Sequence, residues 1–224
     1  MENFEILIVK TVEFVKNRLQ NAEGGHDWWH THRVWKTAQL IAKTETANTE
    51  VVELAALLHD IADAKFHNGD ETLGARIAQQ FLESHYFNAT KTLHIANIIQ
   101  NMSFKGGNVG AKFNSLEMQI VQDADRLDAL GAVGIARAFN YGGFKNRAMY
   151  DPNIAPQMNM SPDEYRNSTA PTINHFYEKL LLLKDRMNTE TGKKLAQQRH
   201  RFMENYLKQF YAEWNGLDNE GIIE

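Results

Sequence analysis

The run "LLHDIAD" at positions 57–63 sets His59 and Asp60 side by side behind two leucines, with a second carboxylate, Asp63, one helical turn later. A polar group carried into a protein core without a partner costs on the order of 2–7 kcal/mol. Such a cluster therefore needs a metal ion, a salt bridge, or exposure at a helix end. Two further stretches concentrate ionisable side chains, "GGHDWWHTHRV" (24–34) and "VQDADRLDALGA" (121–132). Neighbouring residues on an α-helix differ by about 100° in direction, so His59 and Asp60 can both reach an ion placed between them, and Asp63 overhangs the same point. His30 from the first stretch and Asp125 from the third would complete a set of two imidazoles and two carboxylates, which suits a divalent cation of hard to borderline character. Asp60, Asp63, Asp123, Asp125 and Asp128 also crowd negative charge onto neighbouring elements. Like charges within a few ångströms raise one another's pKa, and either a divalent cation or the guanidinium groups of Arg33 and Arg126 would relieve that conflict.

Composition narrows the chemistry. The 224 residues contain no cysteine, so thiolate ligands and disulfides are excluded, and any metal must be held by His, Asp or Glu. This suits a reducing cytoplasm, and a cytoplasmic location is expected. The N-terminal "MENFEILIVKTVEFVKNRLQ" carries charge throughout and lacks the basic start and apolar centre of a signal peptide. No apolar run reaches the roughly 18–20 residues needed to cross a bilayer, so no membrane partner is expected. A net charge of −4 offers no electrostatic basis for holding nucleic acid. Small molecules are the expected partners.

The elements that must position these residues are helical by pattern. Phe4, Ile8, Val12, Val15 and Leu19 recur every three or four residues and mark a first helix. A second is expected from near His26 through Val34, Ala38 and Ile41, after the Gly24-Gly25 break. A third starts at Thr49, whose hydroxyl can cap it, with Glu50 and Glu53 suiting its dipole, and it delivers Leu57, Leu58, His59 and Asp60. Further helical patterns run from Leu73 to Ser84, Ala89 to Asn101, Leu116 to Leu130 and Ala132 to Asn140. All four prolines, Pro152, Pro156, Pro162 and Pro171, follow Gly142-Gly143, so the segment 142–171 is expected to be a long loop, either a functional lid or a connection. Two amphipathic helices joined near Gly192 then form a C-terminal cap over about 172–214. Strands have almost no support, and the expected architecture is a single all-α domain over 1–224.

The three motifs, in this order, resemble the HD-domain superfamily of metal-dependent phosphohydrolases, in particular its small stand-alone bacterial members: a His ahead of Arg-Val in "HTHRV", the dyad in "AALLHDIAD", and a distal Asp in "DADRLDALGA". The resemblance covers about residues 20–150 and implies an HD-domain helical bundle. It implies His30, His59, Asp60 and Asp125 as ligands of one divalent metal ion (Mn, Mg, Ni, Co, Fe or Zn), and Asp63 as the acid that positions or deprotonates the attacking water. The implied activity is hydrolysis of a phosphate ester or phosphoanhydride, with nucleotides as the leading substrate class. Lys65, Lys105 and Arg126, beside the motifs, are then candidates to bind the phosphate. Arg147 is a further cation, and Trp28 and Trp29 either stack on a base or pack on a neighbouring helix. His26 and His30 share a helix face, so His26 is expected to support the ligands, while His32 points elsewhere. His94 is either a packed helical histidine or an extra ligand of a two-metal site. Two other readings stay open: a non-catalytic, metal-binding regulatory HD module, and a di-iron HD-type oxygenase, which would need more imidazoles. A homodimer is also left open.

Overall fold

A computed structural model of the chain describes residues 3–20, 26–62, 72–102 and 113–217. Among these there is no strand. The helices are α1 (Phe4–Arg18), α2 (Trp28–Ala42), α3 (Thr49–Leu58), α4 (Leu73–Ser84), α5 (Ala89–Met102), α6 (Leu116–Asp128), α7 (Gly131–Phe144), α8 (Pro162–Asn167), α9 (Thr172–Glu178) and α10 (Glu190–Trp214), with a 3-10 helix at Leu180–Arg186. The all-α expectation holds, and no helix of the described residues is long and apolar enough to cross a membrane. The chain divides into two compact units, Met1–Asp125 and Arg126–Glu224, and the boundary falls inside α6.

The first unit is built around α3. Val51, Val52, Leu54, Ala55, Ala56, Leu57 and Leu58 are all buried, and a helix apolar on every side must be surrounded. It packs against α1, α2 and α5, while α4 packs on α5. The cap of α3 is Asn48 rather than Thr49: the Asn48 side chain accepts from the Val51 backbone N–H, and its own N–H donates to Glu117 Oε1 at 2.9 Å. Helix α3 stops at Leu58, with His59 as its C-cap, so the His-Asp pair leaves the helix end instead of riding on it. In α1 and its C-cap the buried line is Leu7, Thr11, Val15 and Leu19: Val15 and Leu19 hold their expected places, while Leu7 and Thr11 are buried in place of Phe4, Ile8 and Val12, which are half-buried. Thr11 can occupy it because its hydroxyl donates to the Leu7 carbonyl at 2.7 Å.

In the second unit α7 packs against α9 and α10, and the 3-10 helix packs against the same two. Gly131, at φ +73°, makes the turn from α6 into α7 that an L side chain resists. Gly142 does not end α7, which continues to Phe144; a Cβ there would collide with the Thr172 hydroxyl, so glycine serves close approach. The segment 142–171 is mostly irregular but holds the short α8, opened by a reciprocal Ser161–Glu164 capping box with Pro162 at the first helical position. The stretch expected as one helix from Thr172 breaks into α9 and the 3-10 helix. Helix α10 starts after the cap Thr189, whose hydroxyl accepts from Gly192 N–H at 2.9 Å, so Gly192 lies within the helix and is not the joint.

Candidate metal centre

Helix α2 begins where Asp27 turns its carboxylate onto the His30 backbone N–H at 2.9 Å. The cap satisfies a free amide of the first turn and fixes the direction in which His30 enters the core. The His30 side chain is only 2% exposed; its Nε2 lies 3.4 Å from Asp125 Oδ1 and 4.0 Å from Asp60 Oδ2. His59 meets it from the end of α3, with ring centroids 5.4 Å apart. Three helices thus contribute to one place: α2 through His30, α3 through His59 and Asp60, and α6 through Asp125.

The His59 ring is oriented by its own helix, since Nδ1 lies 2.8 Å from the Ala56 carbonyl oxygen. A carbonyl only accepts, so Nδ1 carries the proton and Nε2 presents a lone pair. That Nε2 is buried without a hydrogen-bond partner among the described residues. A buried lone pair left unmatched is costly, and a cation is the partner that this atom lacks. The donor set fits a divalent ion: His26, His30 and Asp60 form one group, and His30, His59 and Asp125 a second, each with its ligand atoms within 4.8 Å of one another.

Asp60 stays ionised. Burial pushes its carboxyl up, but the hydrogen bond with His26 and the electrostatic influence of the neighbouring His59, His26 and His30 rings outweigh it, so the carboxyl sits below its ordinary value. His26 Nδ1 lies 2.7 Å from Asp60 Oδ2. The centre is open on one side, where the Asp125 and His26 side chains are each 43% exposed, and closed where His30 enters.

His30, His59, Asp60 and Asp125 are therefore brought together. Asp63, Lys65 and Lys105 lie outside the described residues. Arg126, next in sequence to Asp125, donates through Nη1 to the Arg186 carbonyl at 2.7 Å. Asp128 belongs to neither group: Arg137 pairs with it at 2.5 Å, so a cation nine residues further along the chain, not considered in the charge argument, relieves that carboxylate. Asp123 is fully buried and outside both groups. His94 is likewise outside them, with Nε2 2.9 Å from Ser115 Oγ and 3.6 Å from Glu117 Oε2. His32 sits among the rings of Trp28, Trp29 and Trp35, its pKa lowered by burial first and then by Lys36, Arg33 and Lys16. Trp28 packs beneath the Lys16 ammonium, while Trp29 is 61% exposed. Two contributors escaped the sequence argument, the Asp27 cap and the Ala56 carbonyl. An Asp three residues before a predicted ligand was a usable signal for the first, and a backbone acceptor leaves no signal at all.

The HD domain family matches residues 28–130, which span His30, His59, Asp60 and Asp125. The chain is 38% identical over 213 residues to YpgQ of Bacillus subtilis, covering 92% of this chain and 93% of that one. It is similar to the crystal structure of an HD-superfamily hydrolase from Bacillus thuringiensis, with 44% identity over 95% of this chain and 99% of that one and a TM-score of 0.77. The crystal structure of YpgQ in complex with ADP superposes with a TM-score of 0.73 and 32% identity over 94% of this chain and 100% of that one. With the three motifs, the helical architecture and nearly full-length relatives in agreement, the chain belongs to the HD-domain superfamily, alongside small bacterial HD-superfamily hydrolases.

Proposed function

We propose that this chain is a metal-dependent phosphohydrolase that cleaves a phosphate ester or phosphoanhydride, with a nucleotide as substrate. The observation that carries this reading is the convergence of His59, Asp60 and Asp125 on His30, together with the buried Nε2 of His59, which has no hydrogen-bond partner among the described residues. In this reading His30, His59, Asp60 and Asp125 hold one divalent ion. A bound ion of this kind supplies polarisation of a phosphoryl oxygen and a water of lowered pKa. Asp63, three residues beyond Asp60 in sequence, would be the carboxylate that orients the attacking water and takes up its proton, balancing departure of the leaving oxygen from phosphorus. Lys65, Lys105 and Arg126 offset the phosphate charge. The ADP held by YpgQ supports a nucleotide as the ligand class.

The oxygenase alternative needs further imidazoles as ligands; of the two candidates, His94 lies against Ser115 and Glu117, outside both donor groups, and His26 lies against Asp60. A regulatory module without turnover differs only in what happens to bound substrate. The test is a screen of nucleoside mono-, di- and triphosphates against protein stripped with chelator and reloaded with Mg, Mn, Co or Ni, reading released phosphate and pyrophosphate. Metal-dependent release from at least one nucleotide is expected. Stoichiometric metal with no release from any of them would overturn the hydrolase reading.

A further inference from the structure

We propose that His26 is a positioning residue that holds Asp60 in place for the metal. This rests on the metal-centre reading above and adds a role for a side chain outside the four ligands. Two geometries are open to an imidazole in this spot: it binds the ion itself, or it binds a ligand of the ion. The contact of 2.7 Å between Nδ1 and Asp60 Oδ2 is the length of a charge-assisted N–H···O hydrogen bond, which requires a proton between the two atoms and leaves that nitrogen no lone pair for a metal. The surroundings agree. The side chain of His26 is 43% exposed, where water can satisfy it, whereas the centre's other imidazoles are His30, 2% exposed, and His59, with its buried unmatched nitrogen.

The consequence lies in what remains for the ion. Asp60 follows the C-cap of α3, beyond the last helical hydrogen bonds, so its backbone alone does not fix its carboxylate. His26 grips Oδ2, the oxygen that also faces His30 Nε2 at 4.0 Å, and so sets the rotation of the carboxylate in the presence or absence of an ion. Groups that orient metal ligands in this way typically contribute on the order of 10- to 100-fold in metal affinity. Asp27 takes part indirectly: its cap on the His30 amide fixes where the chain enters α2, and this sets His26 back over Asp60.

The experiment is a calorimetric titration of the chelator-stripped full chain with Mn(II) alone, comparing the parent with His26→Ala and His26→Asn. The amide nitrogen of asparagine occupies the place of the histidine Nδ1, so it can donate the same hydrogen bond but offers no imidazole. Expected are an affinity loss of about 10- to 100-fold in H26A at unchanged stoichiometry, and recovery to within a few-fold of the parent in H26N. Helical circular dichroism of the three metal-free proteins should coincide, and H26N carries the test if H26A is misfolded. Unchanged affinity in H26A overturns the role. So does failure of a folded H26N to recover, which would make His26 a ligand. If the parent itself binds no Mn(II), the metal centre and this role fall together; if it binds Mn(II) but hydrolyses no phosphate, only the hydrolase reading falls.

Discussion

Removing the imidazole of His59 or the carboxylate of Asp60 takes away one donor and leaves the remaining ones facing each other without a counter-charge. H59A and D60A are both expected to purify without the divalent ion expected in the parent, as elemental analysis would record; full occupancy in both variants would refute the centre. In the proposed mechanism, Asp63 is the residue that separates chemistry from metal binding. D63N preserves shape but cannot accept a proton, so it should keep its metal and lose on the order of a hundred- to ten-thousand-fold in turnover. Loss of the ion in D63N would instead make that carboxylate a ligand. At this scale the sequence was informative because ligand chemistry is written in residue type: without cysteine, histidine and acidic side chains had to carry the site. It was uninformative about pairing. Asp128 and Asp125 are three residues apart on α6, yet one meets Arg137 and the other meets His30, because side chains on one helix reach partners that only the packing of other segments supplies.

Among the helices, α2 depends most visibly on one residue outside it. Asp27 is at once the cap of its first turn and the reason His30 enters the core where it does. D27A should lower stability by about 0.5–2 kcal/mol, the usual range for a lost N-cap, and weaken metal binding as well. D27N or D27S, which still cap, should restore both. A thermal melt and a metal titration on the same samples would check this, and a melt lowered without any change in metal affinity would confine Asp27 to a structural role. Helix existence was legible from periodicity: α4 runs over the expected Leu73–Ser84, and α5 ends one residue past its expectation. Helix ends were not. At α3, Asn48 took the cap expected of Thr49, since its amide oxygen reaches the Val51 N–H. The "LLLL" run kept apolar spacing while winding as a 3-10 helix, a difference in hydrogen-bond pitch that hydrophobicity does not encode.

For the whole molecule, acid response is governed in part by the second unit. His175, whose Nδ1 lies 3.2 Å from the Tyr165 hydroxyl, is brought down from 6.5 to about 4 by burial, then by Lys179 and Arg147. Tyr165 is pushed up to about 12, chiefly by burial. Above pH 6.5 His175 is neutral folded and unfolded, so it adds no pH dependence there. Between 6.5 and about 4 the unfolded chain takes up a proton that the folded one refuses, so stability falls as pH falls, by on the order of 2–3 kcal/mol across the window. Denaturant midpoints at pH 7, 6 and 5 should drop less steeply in H175Q than in the parent; equal slopes would show that His175 is not the group responsible.

Residue types and their periodicities were enough to read an all-helical chain, to restrict any metal ligands to oxygen and nitrogen donors, and to give the order of three motifs that marks the HD superfamily, because each of these is a property of short stretches. The tertiary structure decided which side chains meet. It set His59 at a helix end with its Nε2 buried and unmatched among the described residues, turned His26 onto Asp60, gave Asp128 to Arg137, and drew His94 to Ser115 and Glu117. Each outcome depends on the relative placement of segments distant in sequence or on the direction in which a helix ends. Local spacing constrains the angle at which a residue leaves its own helix and carries no information about what stands opposite.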